Sequence, residues 1–143
     1  MDKKTLSMRL AAENDVDEIC SFDHIAQQSD HRQIFIRRSV VAKNCYIASD
    51  RQVVGYAVLE YSFYETGFVS MLYVHSDWRR HGVGTALLRH LESICQTDKL
   101  FTSTNLSNLR MQALLAKLGY KLSGVIHDLD EGDPELVYVK HLR

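Results

Sequence analysis

The sequence predicts an α/β fold in which about four helices flank one mixed, mostly antiparallel central sheet. Segments with strand-like and helix-like periods follow one another in the order β-α-α-β-β-β-α-β-α-β-β. A nearly all-apolar strand runs into the turn "HSDWRRHGVG" and then into a helix, which is typical of a crossover unit. The length of 143 residues suits one compact unit, so we expect residues 1–143 to form a single domain.

The first half of the chain carries a strand, two helices and three more strands. "MRLAA" predicts the first strand, and Asn14 or Asp15 can cap the helix that follows. "DHRQIFIRRSVVA" predicts a second helix over residues 30–42. Strands are then predicted for "CYIASD", "VVGYAVLEYSFY" and "GFVSMLYV". Because the last of these is nearly all apolar from Phe68 to Val74, we expect it to be covered on both faces.

The second half alternates helices and strands. The helix after the glycine turn has apolar residues at a helical spacing, namely Val83, Leu87, Leu91 and Ile94. "KLFTSTNL" predicts a strand, and a further helix ends at the C-cap glycine Gly119. The apolar face of that helix comprises Met111, Leu114, Leu115 and Leu118. The chain closes with strands at about 120–127 and 136–140, which flank the turn "DLDEGDPE".

Composition excludes several classes of partner. The formal net charge is −1, from 17 basic and 18 acidic residues, so neither nucleic acid nor a membrane is an expected partner. Cys20, Cys45 and Cys95 are far apart and are expected to be reduced core thiols. The seven histidines show no metal-ligand spacing, so no metal is expected. "MDKKTLSMRLAAEND" lacks the apolar core of a signal peptide, which favours a cytoplasmic protein.

The turn "RRHGVG" carries two glycines at the start of a helix. Gly82 and Gly84 remove side chains where backbone N–H groups lack intrahelical acceptors, and the neighbouring arginines add positive charge. This combination favours a phosphate or pyrophosphate site. The alternative is that the glycines only allow close packing of the helix. The motif lacks the Lys-Ser/Thr of a Walker loop and the third glycine of a dinucleotide fingerprint.

In this context the sequence resembles the GNAT superfamily of acetyl-CoA-dependent N-acetyltransferases. "RRHGVG" matches that family's Arg/Gln-x-x-Gly-x-Gly/Ala loop, and "NLSNLRMQALLAKLGY" is similar to its Asn-rich strand end and following helix. The resemblance implies a splayed strand pair that binds acetyl-CoA (coenzyme A). It places Leu72, Tyr73 and Val74 along pantetheine and Asn108 near the thiol. The residues it assigns to the pyrophosphate loop are Arg79, Arg80, His81, Gly82, Val83, Gly84 and Thr85.

The catalytic residues of the family transfer less well. Phe68 and Ser103 stand where two branches of the family carry a glutamate base, and Leu115 stands where relatives often carry a tyrosine acid. A base must still take a proton from a protonated amine. Glu60 is the first candidate, because an acidic residue within "YAVLEYSFY" is costly unless hydrated or used. His75, at the end of the following strand, is the second candidate. The alternative is that Glu60 emerges at a strand end and His75 is a solvated turn residue.

Two further groups of residues have both a functional and a structural interpretation. The acidic run Asp128, Asp130, Glu131, Asp133 and Glu135 could attract a cationic amine, but such runs are more often solvated turns. The tyrosines could line an acceptor pocket, but aromatic residues in strands are more often packing. They are Tyr56, Tyr61, Tyr64 and Tyr73.

The leading hypothesis is therefore an enzyme, an N-acetyltransferase that moves an acetyl group from acetyl-CoA to a primary amine by direct attack in a ternary complex. The alternative is a non-catalytic acyl-CoA-binding or sensing domain, and a nucleotide-phosphate binder is a third hypothesis. The expected partner is a small-molecule or peptide amine acceptor, with a homodimer left open. The sequence does not identify the acceptor.

Overall fold

The computed structural model describes residues 6–143, so part of the segment on which the signal-peptide argument depends lies outside the described residues. The strands are β1 (Ser7–Leu10), β2 (Cys45–Asp50), β3 (Gln52–Phe63), β4 (Thr66–Val74), β5 (Lys99–Asn105), β6 (Lys121–Ile126) and β7 (Glu135–His141). The helices are α1 (Val16–Phe22), α2 (Asp30–Val41), α3 (Val83–Ile94) and α4 (Leu109–Lys117). The predicted order of elements is confirmed, with 3₁₀ turns at Glu13–Asp15 and Ser76–Trp78 in addition.

The strands form a seven-stranded sheet in the order β1-β2-β3-β4-β5-β7-β6. The pairs β1/β2, β2/β3, β5/β7 and β6/β7 are antiparallel, and β4/β5 is parallel. The predicted class, a mixed and mostly antiparallel sheet with flanking helices, is therefore confirmed. The parallel register joins Gly67–Val69 to Leu100–Thr102 and does not extend to the carboxyl-terminal residues of either strand.

The chain divides into two compact units. Unit 1 comprises the residues up to Leu59 together with Met71–Ser93, and unit 2 comprises Glu60–Ser70 and Ile94–Arg143. The core of unit 1 joins α1 and α2 to β2 and β3, and its fully buried members include Ile19, Ile36, Ile47 and Tyr56.

Helix α3 packs against β3 within unit 1 through a glycine. A Cβ on Gly55 would lie 2.9 Å from Val83 Cγ1 and 3.1 Å from the carbonyl oxygen of Tyr73. This approach is too close for a larger residue, so Gly55 sets the spacing between the strand and the first turn of the helix. The apolar face predicted for α3 is buried at Val83, Leu87 and Leu91, whereas Ile94 is only half-buried.

In unit 2, side chains alternate along β5. Leu100, Thr102 and Thr104 are buried, and the residues between them are half-buried. Helix α4 contributes Leu115, which is fully buried, and the chain turns after it at Gly119 with a φ of 93°. The predicted C-cap glycine is therefore in the left-handed conformation that such a position requires.

Two details of the prediction were wrong. The segment of β4 from Ser70 to Val74 is half-buried throughout, so this strand is not covered on both faces. Asp15 stands before α1, but its side chain does not cap that helix. Instead its carboxylate accepts two hydrogen bonds from the Arg9 guanidinium, at 2.8 and 3.0 Å, and one from Ala12 N at 2.7 Å. The hydrogen bond from Arg9 is the largest effect that lowers the pKa of Asp15.

Candidate functional site

The turn before α3 has the backbone that its glycine predicts. Arg80 and Gly82 both have left-handed backbones, with φ of 66° and 79°. A Cβ built on Gly82 would meet no atom within 4 Å, so this Cα faces open space. The N–H groups in the first turn of a helix have no intrahelical acceptor, and the helix dipole adds positive charge there. The geometry therefore suits an anion.

Basic side chains surround this turn. Arg79, Arg80 and His81 are all exposed. The Arg79 guanidinium lies 5.8 Å from the ring centroid of Tyr73, and the Nδ1 atom of His81 lies 2.9 Å from the carbonyl oxygen of Arg79. These contacts orient the Arg79 and His81 side chains.

An open cavity of about 1110 Å³ in unit 1 reaches this turn. Its lining residues are Leu6, Met8, Asp77, Trp78, Arg80, His81, Gly82, Ala86, Arg89 and His90. Arg80, Gly82 and Ala86 border it from the turn and the first part of α3. The cavity is thus open to solvent beside the candidate anion site and carries basic side chains along its wall.

The carboxyl-terminal half of β4 presents Leu72, Tyr73 and Val74, all half-buried. The Tyr73 ring stacks on the Tyr56 ring at 6.1 Å between centroids, and its hydroxyl accepts a hydrogen bond of 3.1 Å from His24 N. Tyr73 therefore connects β4 to the segment between α1 and α2. Leu72, Tyr73 and Val74 belong to unit 1 together with the glycine turn, whereas Asn108 belongs to unit 2.

Unit 1 contains a buried polar cluster of Asp23, Tyr56 and Arg32 that the sequence did not predict. Asp23 and Tyr56 have no exposed surface, and the Tyr56 hydroxyl donates a hydrogen bond of 2.5 Å to Asp23 Oδ2. Asp23 Oδ1 accepts from Ile25 N at 2.9 Å and from Ala26 N at 3.1 Å, and Arg32 Nε lies 3.6 Å from Oδ2. Burial, followed by the bond to Asp23, raises the pKa of Tyr56. The cluster fixes the backbone between α1 and α2.

The tyrosines predicted as a possible pocket do not form one set. Tyr56 is buried in the core of unit 1, and Tyr73 stacks on it. Tyr61 accepts a hydrogen bond from Gln96 N at 3.1 Å, and Tyr64 is 86% exposed in the turn between β3 and β4. The packing alternative therefore describes Tyr56, and Tyr64 takes no part in a pocket.

The two predicted bases differ in their surroundings. Glu60 is half-buried in unit 2, and its Oε1 atom accepts a hydrogen bond of 2.7 Å from Ser62 Oγ. His75 lies in unit 1, where its Nδ1 atom accepts from Asp77 N at 3.1 Å and its ring lies 5.2 Å from that of Phe22. The His75 side chain thus caps the 3₁₀ turn Ser76–Trp78.

Asn108 immediately precedes α4 and caps it. Its Oδ1 atom accepts a hydrogen bond of 3.1 Å from Met111 N, and its own N–H donates to the carbonyl oxygen of Asn105 at 2.9 Å. The Asn108 side chain thus has a structural role at the amino terminus of this helix.

The acidic turn between β6 and β7 is tied to the loop before α4. Asp133 accepts from Ser107 N at 3.0 Å and from Ser107 Oγ at 2.6 Å, and Asn105 Nδ2 donates to Asp130 Oδ2 at 2.8 Å. These two carboxylates therefore have structural partners. Glu135, at the start of β7, instead accepts a hydrogen bond of 2.6 Å from Ser103 Oγ.

The positions at which relatives carry catalytic groups have other surroundings here. The Phe68 ring stacks on Phe63 at 4.8 Å. Leu115, where the resemblance implies a tyrosine acid, has no exposed surface and therefore belongs to the core.

None of the helices within residues 6–143 is long and apolar enough to cross a membrane. Within the same range, no three His, Cys, Asp or Glu side chains are grouped so that they could hold a metal ion. Cys45 and Cys95 are buried and Cys20 is half-buried, all as free thiols, and burial raises the pKa of Cys45 to about 12.

A strand, a left-handed glycine turn and exposed basic residues at a helix amino terminus together form a candidate anion site in an α/β fold. The family model that matches residues 9–120 is described as the acetyltransferase (GNAT) family. The chain therefore belongs to the GNAT family of acetyltransferases, which confirms the resemblance and agrees with acetyl-CoA as the cosubstrate.

Known proteins support the same assignment. An acetyltransferase of the GNAT family from Bacillus cereus is 31% identical, with a TM-score of 0.89 over 96% of this chain and 97% of that chain. A protein from Bacillus anthracis solved with acetyl coenzyme A is 18% identical, with a TM-score of 0.63 over 68% of this chain and 61% of that one, and so shows the fold alone. Human cysteine-rich protein 2-binding protein is 32% identical over 65 residues, which are 46% of this chain and 8% of the human protein.

Proposed function

We propose that the chain is an N-acetyltransferase that moves an acetyl group from acetyl-CoA to a primary amine by direct attack in a ternary complex. The observation that carries this proposal is the left-handed turn at Gly82 before α3, in a chain of the GNAT family. Residues 1–143 act as one N-acetyltransferase domain, and the acceptor is a small-molecule or peptide amine.

The residues of the turn fit a pyrophosphate. Because a Cβ on Gly82 would point into open space, that space is available to phosphate oxygens. Backbone N–H groups from Gly82 to Thr85 would hold them, with Arg79, Arg80 and His81 adding positive charge. Leu72, Tyr73 and Val74 would bind pantetheine, and Asn108 would lie near the thiol. When bound, acetyl-CoA supplies an acetyl group that is activated as a thioester, and the coenzyme A thiolate is a good leaving group.

Two measurements test the proposal. Calorimetry with coenzyme A measures binding, and release of free thiol from acetyl-CoA is followed with spermidine, L-lysine, kanamycin and a peptide with a free amino terminus. We expect amine-dependent release, with the acetylated amine identified by mass spectrometry. Coenzyme A binding without any amine-dependent release would favour the alternative, a non-catalytic acyl-CoA sensor.

Gly82→Ala tests the turn, and Gly124→Ala is its matched control. A Cβ would meet no atom within 4 Å at either glycine, but only Gly82 has a left-handed backbone. We expect Gly82→Ala to raise the dissociation constant of coenzyme A by about tenfold or more, or about 1.4 kcal/mol. The control should bind normally. Equal affinity of both variants for coenzyme A would refute the assignment of the Gly82 turn as the pyrophosphate site.

A further inference from the structure

A carboxylate and a hydroxyl meet between β5 and β7 in unit 2. Ser103 Oγ donates a hydrogen bond of 2.6 Å to Glu135 Oε2, and both residues are half-buried. The antiparallel register pairs Asn105 with Glu135 and Ser103 with Val137. Because cross-strand partners point to the same face, Ser103, Asn105 and Glu135 lie on one face of these strands.

Among residues 6–143, the Glu135 carboxylate forms no ion pair with a Lys, Arg or His side chain, and its Oε1 atom has no hydrogen-bond donor. The partly or fully buried Asp15 and Asp23 differ, since Arg9 and Arg32 lie against them. A half-buried carboxylate that is held by one neutral hydroxyl leaves its second oxygen as an acceptor for an incoming donor.

An aromatic surface leads to this carboxylate. Phe101 lies two residues before Ser103 on β5 and therefore shares its face. The Phe101 ring is 5.2 Å from Phe63, which in turn stacks on Phe68. Because apolar surroundings strengthen the attraction between a carboxylate and an ammonium group, this surface favours a cationic amine with an apolar stem.

The pair is also close in register to the start of α4. Glu135 is the cross-strand partner of Asn105, whose carbonyl oxygen accepts the N–H of Asn108 at 2.9 Å. Under the proposed function, on which this step depends, Asn108 marks the thiol end of the cosubstrate. Within unit 2, Glu135 is therefore the cross-strand neighbour of the residue that holds the backbone of Asn108.

We propose that Glu135 is the catalytic base, with Ser103 as its positioning residue. An ammonium N–H of the acceptor binds Glu135 Oε1 and gives its proton to that oxygen. The freed electron pair on nitrogen forms the C–N bond to the acetyl carbon as the C–S bond breaks, and sulfur leaves with the bonding pair. A second proton from nitrogen neutralises the thiolate, and the proton on Glu135 passes to solvent. Glu60, whose carboxylate is held by Ser62 in the same manner, is the competing candidate.

The test compares two substitutions that separate shape from charge. Glu135→Gln keeps the length of the side chain and an oxygen for Ser103, whereas Glu135→Asp keeps the carboxylate on a shorter stem. Initial rates are measured across amine concentrations, with the amine of the panel that the wild type acetylates best. Glu60→Gln is measured in parallel, and Glu65→Gln is the control, since Glu65 is exposed in the turn between β3 and β4. Coenzyme A affinity and the thermal midpoint are measured for every variant.

We expect Glu135→Gln to lower kcat by about 100-fold or more, Glu135→Asp to lower it less, and Ser103→Ala to have an intermediate effect. Coenzyme A affinity and the thermal midpoint should not change, and the control should equal the wild type. If Asp is worse than Gln, the residue has a structural role. If only the KM for amine rises, Glu135 attracts the acceptor but is not the base. A large loss confined to Glu60→Gln assigns the base to Glu60. Each of these three results overturns the proposal.

Failure of the proposed function is a different result. It is the absence of amine-dependent thiol release by the wild type, and it would refute both the acetyltransferase activity and the assignment of Glu135 as its base. Turnover by the wild type that Glu135→Gln leaves unchanged overturns only the assignment of Glu135.

Discussion

Tyr56→Phe tests the buried cluster between α1, α2 and β3 with the smallest change in shape. The substitution removes only the hydroxyl that donates to Asp23 Oδ2 at 2.5 Å, so no large cavity forms. Hydrogen bonds to charged groups contribute about 1.5–3 kcal/mol, and their loss is not relieved by water where both residues are fully buried. Since Asp23 keeps its bonds from Ile25 N and Ala26 N, we expect a loss of about 2 kcal/mol in the free energy of unfolding.

The assay is urea and thermal unfolding followed by circular dichroism. For a chain of this length the loss corresponds to a fall of about 4–8 °C in Tm. Tyr138→Phe is the matched control, because Tyr138 is 9% exposed and, within the described part of the chain, its hydroxyl has no hydrogen bond. Its cost should lie within about 0.5 kcal/mol. Equal stabilities of the two variants would refute the view that Tyr56 holds the Asp23 carboxylate.

Three further predictions follow from burial and charge. Arg9 holds the pKa of Asp15 below its usual value, so the stability from this pair is complete above about pH 4 and is lost as the pH falls through the lower folded value. For Asp15→Asn, the free energy of unfolding should therefore fall less steeply at acid pH than it does for the wild type. An unchanged acid dependence would contradict this. Leu115→Tyr, measured by urea unfolding, should cost about 1–3 kcal/mol because the core is full there, and a stable variant would place the side chain in a cleft. A thiol reagent followed by peptide mapping should modify Cys20 well before Cys45, whose pKa burial raises to about 12, and equal rates would contradict that difference.

The order of elements could be predicted because each element carries its own local signal. β2 begins and ends where the pattern "CYIASD" does. α3 begins at Val83, directly after the left-handed Gly82. Such signals depend on neighbours within a few positions, so they survive without knowledge of the tertiary structure.

The covering of β4 could not be predicted in the same way. An apolar strand indicates that its surface avoids water, but the sequence does not say whether protein or a ligand covers it. The half-buried stretch Leu72–Val74 lies where the proposed function places pantetheine. Under the proposed function, pantetheine rather than protein would cover this apolar stretch.

The polar contacts of the site could not be predicted because each joins residues far apart in sequence. Tyr56 and Asp23 are separated by 33 positions, and Ser103 and Glu135 by 32. The second contact depends on the register of β5 and β7, since a shift of one residue would turn the Glu135 side chain to the opposite face. The strand positions at which the resemblance places a base carry Phe68 and Ser103, so the sequence points instead to Glu60 and His75. The register adds the candidate that we propose, because it brings a carboxylate from the neighbouring strand to the hydroxyl of Ser103. Under that proposal, an acidic residue that the sequence alone assigns to a solvated turn takes the place of a missing catalytic group.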